Sequence, residues 1–239
     1  EMLHSIAGGE EKWRARPFVS NSNCFVVPPL RFATESCLVM EAAVHAGMPV
    51  LLLSAGQAGA TAPASIAGAV AQALAEVIAG LIYVNAMKPG YPCICGTWPF
   101  VSDLRTGAMS GGSGEQGLLT AACAQMLQYY DLPGGAAAGM ADSKMPDAQS
   151  GYEKGSTLVM AGLSGLNMVY EAAGMHASLL GFCLESLIID NDMLGQCLRC
   201  VRRVEVNDTT LDIQVMRDVC MGGPWHYLGH DQTIFLMQT

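Results

Sequence analysis

Pro49-Val50-Leu51-Leu52-Leu53-Ser54 is the segment from which the architecture follows. It is an apolar run of strand length without polar alternation, the pattern of a strand covered on both faces in a parallel arrangement. The Gly/Ala loop from Ala55 to Ala60 follows, then Thr61 as an N-cap with Pro63 in the first turn of a long helix reaching about Tyr83. The same unit recurs on both sides. Upstream, Pro17 to Leu30 reads as a strand and rigid exit loop, and Thr34 caps a helix from Glu35 to Ala46 that stops at Gly47. Downstream, Tyr91 to Gly96 is a short strand, and Ser113 with Gln116 forms a capping pair for a helix to about Tyr130. Ala136 to Met140 is a strand by position rather than by composition. Ser150 and Glu153 fit a capping box for a helix reaching Ala173 and ending at Gly174, while Asp147 after Pro146 offers a second cap for it. His176 to Cys183 and Leu187 to Asp190 compete for the next strand, followed by a helix from Asn191 to Val204 and a last one, capped by Thr209, from Leu211 to Met221.

About five strand-helix units in alternation predict a parallel α/β fold, either a barrel or a doubly wound sheet. No Gly-x-Gly-x-x-Gly or Gly-Lys-Ser/Thr loop opens a helix, so dinucleotide and P-loop versions lose support. A barrel needs eight units to close. The 239 residues therefore read as one domain, a partial barrel belonging to a longer chain, whose open strand edges would favour a homo-oligomer if nothing else covered them.

Charge narrows the partners. Twelve basic against 21 acidic side chains give a net charge of −9, which disfavours nucleic acid. Nine scattered cysteines, mostly in apolar segments, read as reduced thiols in a cytoplasmic protein. Cys93-x-Cys95 and Cys197-x-x-Cys200 lack a second ligand pair, so no metal is expected. Pro63 to Val84 is about long enough to span a bilayer, but Gln72, Glu76 and the lack of interfacial anchors favour a buried helix, with no membrane partner.

In this weakly charged chain, Met140 to Lys154 collects Asp142, Lys144, Asp147, Gln149, Tyr152, Glu153 and Lys154. A polar loop between a Gly/Ala-rich strand and a long helix is where an α/β scaffold carries its chemistry. Asp142, Asp147, Gln149 and Glu153 are the candidate catalytic residues. Glu153 and Asp147 have equally direct explanations as helix-starting groups. The other histidines, His4, His45, His176 and His230, read as surface or core residues.

Four ordered segments carry a family resemblance: Ala58-Gly-Ala-Thr-Ala-Pro63, Asp103-Leu-Arg-Thr-Gly107, Asp142 to Lys154, and Gly222-Gly-Pro-Trp-His-Tyr-Leu228. Together the chain resembles the trimethylamine methyltransferase family. The resemblance implies a (β/α)8 TIM-type barrel that takes a methyl group from a tertiary or quaternary amine, of the trimethylamine or glycine betaine type. It implies delivery to Co(I) of a corrinoid carried by a separate partner protein. With no unusual residue in the sequence, a quaternary amine is favoured.

That chemistry asks for orientation and water exclusion rather than a protein nucleophile. A quaternary ammonium leaves without needing a proton, so a general acid is optional. A fixed cation is held by aromatic faces and carboxylates, for which Trp98, Phe100, Tyr152, Glu115, Asp147 and Glu153 are candidates. A betaine carboxylate would be met by Arg105, Lys144 or His226. Two alternatives stand beside this reading: a catalytically inactive amine- or betaine-binding protein on the same barrel, and part of a membrane transporter.

Overall fold

The computed structural model describes residues 1–208 and 210–237. They fall into two compact units, Glu1–Val201 and Arg202–Thr239.

Two short helices, α1 (Met2–Ala7) and α2 (Glu10–Ala15), open the first unit. Five βα pairs then follow: β1 (Asn21–Asn23) with α3 (Thr34–His45), β2 (Val50–Ser54) with α4 (Ile66–Met87), β3 (Cys93–Thr97) with α5 (Gly114–Tyr129), β4 (Gly134–Ala137) with α6 (Ala148–Leu163), and β5 (Met168–Tyr170) with α7 (Leu184–Val201). The strands are parallel and lie side by side in chain order. A doubly wound sheet reverses its strand order at a switch point, and no reversal occurs among the described residues. Right-handed crossovers in a sheet that never reverses place every connecting helix on one face. Consistently, α4 packs on α5, α5 on α6 and α6 on α7. The arrangement fits a partial α/β barrel.

All five residues of β2 are buried, as its unbroken apolar run predicts. Strand β4, two places along the sheet, is built from Gly134, Gly135, Ala136 and Ala137, with little β-propensity, yet it is equally buried. Close packing explains the composition: a Cβ on Gly135 would sit 2.8 Å from the Tyr170 ring, and one on Gly134 would sit 2.8 Å from Leu127 Cδ1. The main core, including Phe25, Val50, Leu52, Val77, Leu119 and Leu127, lies between the sheet and the helices.

Helix α4 is long and apolar enough to cross a membrane by length and composition. One of its faces, including Val70, Leu74, Val77 and Val84, is nevertheless buried within this core. Its single charge, Glu76, accepts hydrogen bonds from Ser54 Oγ (2.5 Å), the Leu30 amide (2.8 Å) and Gln72 Nε2 (3.1 Å). A buried carboxylate so supplied ties the helix to the end of β2. On the same face, Gly80 leaves room for Phe25, and a Cβ there would overlap the fully buried ring. Alanine in a helix interior gains about 1 kcal/mol over glycine, but overpacking costs about 1–3 kcal/mol. With no space for the ring to retreat, Gly80→Ala is expected to lower the thermal midpoint by several degrees. An unchanged or raised midpoint in calorimetry would contradict this packing.

Several boundaries differ from expectation for local reasons. Thr61 does not cap α4: its hydroxyl accepts from the Gln57 amide at 2.8 Å and closes a turn, while Ser65 caps the helix. Thr34 is the first helical residue and not the cap. Asp147, rather than Ser150, is the N-cap of α6, with Ser150 Oγ completing the reciprocal box. That helix stops at Leu163, before the left-handed Gly165, instead of reaching Ala173. The fifth strand is therefore Met168–Tyr170, at neither predicted place. Met175–His176 and Gly181–Phe182 form an antiparallel hairpin, and Leu187 to Asp190 lies inside α7.

In the second unit, α8 (Ile213–Cys220) and α9 (Asp231–Leu236) are joined by a loop. Gln232 Nε2 donates to Asp212 Oδ2 at 2.5 Å, tying the start of α9 to the start of α8. The expected cap at Thr209 lies outside the described residues.

Candidate functional site

The loops leaving the carboxyl ends of β2 to β5 enclose a cavity of about 750 Å³. Gln57, Met109, Ser110, Asp142, Ser178 and Leu179 line it, together with the Asp103–Arg105 pair and Lys144. Loops at this end of a parallel α/β sheet are where barrels place their sites.

Asp142 is the most strongly held polar group in the cavity. Its Oδ2 accepts from Ser110 Oγ at 2.5 Å, and its Oδ1 accepts from the Gly111 amide (2.7 Å), the Gly112 amide (3.3 Å) and the Ser178 hydroxyl. Donors from the loops after β3 and β5 thus converge on one carboxylate carried by the loop after β4. Gly112 must be a glycine here, since a Cβ would lie 2.8 Å from the Glu153 carboxylate.

Glu153 is buried behind this loop. Its Oε2 accepts from the amides of Asp142 (2.8 Å) and Ser143 (3.2 Å), and its Oε1 from Gln149 Nε2 (2.7 Å). These bonds orient the Asp142 backbone, so Glu153 acts on the cavity through Asp142. Asp147, at the exposed start of α6, accepts from the Ser150 amide (2.8 Å) and Ser143 Oγ (2.9 Å). Those two bonds hold its carboxyl below the usual range, the backbone one contributing most.

The wall opposite Ser110 is strained. Ala177, Ser178 and Leu179 have φ of 49°, 50° and 76°, three consecutive non-glycine residues in the left-handed region. Each costs about 1–2 kcal/mol, so the turn persists only because its surroundings over-determine it. The Ala177 amide donates to Ser143 O (2.9 Å) and the Ser178 amide to Ala141 O (3.0 Å). Beneath the turn lies a buried polar cluster. Lys154 Nζ donates to Asp190 Oδ2 at 2.6 Å and approaches His176 Nε2 at 3.4 Å, and the Gly174 amide also donates to Asp190 Oδ2 (2.7 Å). His176 Nδ1 stands 3.2 Å from Ser143 O, and its Nε2 stands 2.5 Å from Ser186 Oγ. A carbonyl only accepts, so Nδ1 carries the hydrogen and Nε2 accepts from the Ser186 hydroxyl.

Trp98, Tyr170 and Glu171 stand at the carboxyl ends of β3 and β5. The Trp98 and Tyr170 rings meet at 5.2 Å between centroids with a 48° tilt, and Trp98 Nε1 has no hydrogen-bond partner among the described residues. Glu171 Oε2 is likewise buried without one. Burial raises the Glu171 carboxyl above its ordinary value. A folded-state pKa above the unfolded one means that the native chain holds the proton more tightly. Stability is then lost as pH rises from the ordinary carboxylate range through the raised value. Glu171→Gln is therefore expected to melt higher than wild type at neutral pH, with the gap closing on acidification. A gap that does not change with pH would contradict this assignment.

The family model for Trimethylamine methyltransferase (MTTB) matches residues 1–239, the whole chain. The chain belongs to the trimethylamine methyltransferase family. Trimethylamine methyltransferase MttB of Desulfitobacterium hafniense (strain DSM 10664 / DCB-2) is 32% identical over 239 residues, covering 100% of this chain and 47% of the relative. The MttB of Methanosarcina thermophila is 33% identical over 226 residues, 95% of this chain and 46% of the relative. A glycine betaine methyltransferase of Desulfitobacterium hafniense (strain Y51) is 33% identical over 234 residues, 98% and 48% respectively. The chain spans about half the length of the curated relatives it matches.

Within this trimethylamine methyltransferase family chain, the expected site residues separate into groups. Asp142 and Arg105 line the cavity, with Lys144 beside them. Arg105 Nε pairs with Asp103 Oδ1 at 3.1 Å, with the arginine side chain 90% exposed. Trp98 and Phe100 pack behind it, against Met109, Met140 and Leu179. Gln149, Glu153 and Asp147 act on the Asp142 loop as described. Glu115 is an exposed residue in the first turn of α5, and Tyr152 is 65% exposed on α6. His226 is exposed and belongs to the second unit. Sequence reasoning missed Ser110, Ser178 and Asp190, while His176, read as a surface or core histidine, is buried. A polar pair in Asp190-Asn191 following an apolar run gave the one available signal.

Among the described residues, no three His, Cys, Asp or Glu side chains gather as a metal site. All nine cysteines, each described, are free. Burial pushes the Cys93 and Cys95 thiols up to about 11, which favours the protonated form over a ligating thiolate.

Proposed function

We propose that this chain is the substrate-binding half of a methyltransferase that moves a methyl group from a quaternary amine of the betaine type to the Co(I) corrinoid of a cytoplasmic partner protein. In this reading its five βα units belong to an eight-unit TIM-type barrel. Family membership supports the reaction class. The observation that carries the substrate class is the meeting of Asp142, Arg105 and Lys144 on one cavity.

A carboxylate offers about four lone-pair sites, and Asp142 already accepts four hydrogen bonds. It has little capacity left for an N–H donor but keeps its charge, which suits a quaternary ammonium that donates nothing. The Arg105 guanidinium and Lys144 ammonium give a carboxylate at the other end of the substrate its partners. Apolar Met109 and Leu179 face the methyl groups and exclude water. When docked, the corrinoid supplies the nucleophile. This chain then has to hold the cation, fix its orientation and keep the cavity dry. The amine departs neutral, so no residue here needs to deliver a proton.

The test uses the protein expressed from its complete reading frame with its reduced corrinoid protein. Glycine betaine or another carboxylated quaternary amine should change the cobalt absorption spectrum, and trimethylamine should do so far more slowly. A trimethylamine rate equal to or above the betaine rate would overturn the substrate class. No change with any methylated amine would overturn the reaction.

A further inference from the structure

Nothing in the reaction calls directly on Lys154, His176 or Asp190, yet all three are buried beneath the cavity wall. They come from three separate elements: Lys154 from α6, His176 from the hairpin after β5, and Asp190 from α7. The cluster ends on one acceptor. Ser143 O receives both His176 Nδ1 (3.2 Å) and the Ala177 amide (2.9 Å), and Ser143 directly follows Asp142. The Ala177 bond begins the left-handed turn whose next residue, Ser178, donates its hydroxyl to Asp142. The other ring nitrogen, Nε2, accepts from Ser186 Oγ (2.5 Å), with Lys154 Nζ, held by Asp190, 3.4 Å from the same atom.

We infer that Lys154, His176 and Asp190 are positioning residues: through Ser143 O they lock the left-handed turn Ala177–Leu179, and with it the Ser178 hydroxyl that aims Asp142 into the cavity. The inference rests on the reading of this cavity as the amine site, but only for its functional consequence. Three strained non-glycine residues in a row need a rigid support, and a buried, hydrogen-bonded cluster supplies one. The Asp142 carboxylate then has one orientation before substrate arrives, which is the preorganisation that a cation site without directional bonds depends on.

The test compares His176→Leu, which removes the donor to Ser143 O, with His176→Asn, whose amide can supply that donor again. Amide hydrogen exchange is followed at Ala177 and Ser178, with α4 as an internal reference, and glycine betaine affinity is measured by calorimetry. His176→Leu should lose protection at both amides while α4 keeps its own, and affinity should fall about 10- to 100-fold, the size of supporting-shell effects elsewhere. His176→Asn should restore both within a few-fold. A third variant, His176→Leu/Ala177→Gly, relieves backbone strain and should recover thermal stability without recovering affinity. Unchanged protection in His176→Leu, or affinity that returns together with stability in the third variant, would overturn the inference. A wild-type protein that binds no betaine would defeat the functional reading alone, because the exchange pattern still decides whether the cluster holds the turn.

Discussion

Asp142→Asn is expected to lower methyl transfer from a quaternary amine by about 100- to 1,000-fold while leaving the fold intact. The substitution removes the charge and keeps the shape. With its amide nitrogen at the Oδ2 position, the new side chain can donate to Ser110 Oγ, a hydroxyl that can turn to accept. Its carbonyl can still take the Gly111 and Gly112 amides and the Ser178 hydroxyl. What is lost is attraction between unit charges, roughly 4 kcal/mol at 4 Å for an effective dielectric of 20, or about three decades in rate at most. Steady-state rates together with a thermal melt check this. A collapsed melt would mean that the charge is structural, and an unaffected rate would mean that the cation sits elsewhere.

The second large effect is on stability. Lys154 and Asp190 form a salt bridge with side chains 0% and 5% exposed. Removing one partner of a buried pair strands the other charge, at about 3–5 kcal/mol. Lys154→Met is therefore expected to lower the thermal midpoint by about 6–20 °C for a chain of this size. The cost should not be additive. In Lys154→Met/Asp190→Asn no charge is stranded, and the new amide oxygen still accepts the Gly174 amide that Asp190 now holds. The double variant should recover at least half of the loss. If it melts as low as the single variant, the destabilisation arises from packing and not from the unpaired carboxylate.

Much of the sheet was legible in the sequence, where a strand signal is local. The apolar run at Val50–Ser54 and the cap at Ser113 stand where expected, and the five βα units correspond in number. The fifth strand was not legible. Met168–Tyr170 is only three residues long, and the apolar pattern of α6 flows into it across Gly165, so period and length both misled. The hairpin Met175–His176/Gly181–Phe182 mimicked a strand, because its residues pair with each other instead of joining the sheet.

The site shows the same limit. Asp142 stood out as a charge in a weakly charged chain, but its donors come from Ser110, 32 residues before it, and Ser178, 36 residues after it. No spacing rule joins such positions. Lys154 was visible as one charge in a polar stretch, and only the packing of α6 on α7 shows that it faces inward to Asp190. Tyr152, two residues earlier on the same helix, faces solvent. Neighbouring helical positions point about 100° apart, so proximity in sequence could not rank the two.

Whether Asp142 holds the amine is tested by a calorimetric titration of glycine betaine into the wild-type protein and into Asp142→Asn, both shown to be folded by their melts. Saturable binding to wild type and a loss of about 100-fold or more in the variant are expected. Equal affinity in the two proteins would contradict the placing of the amine at Asp142.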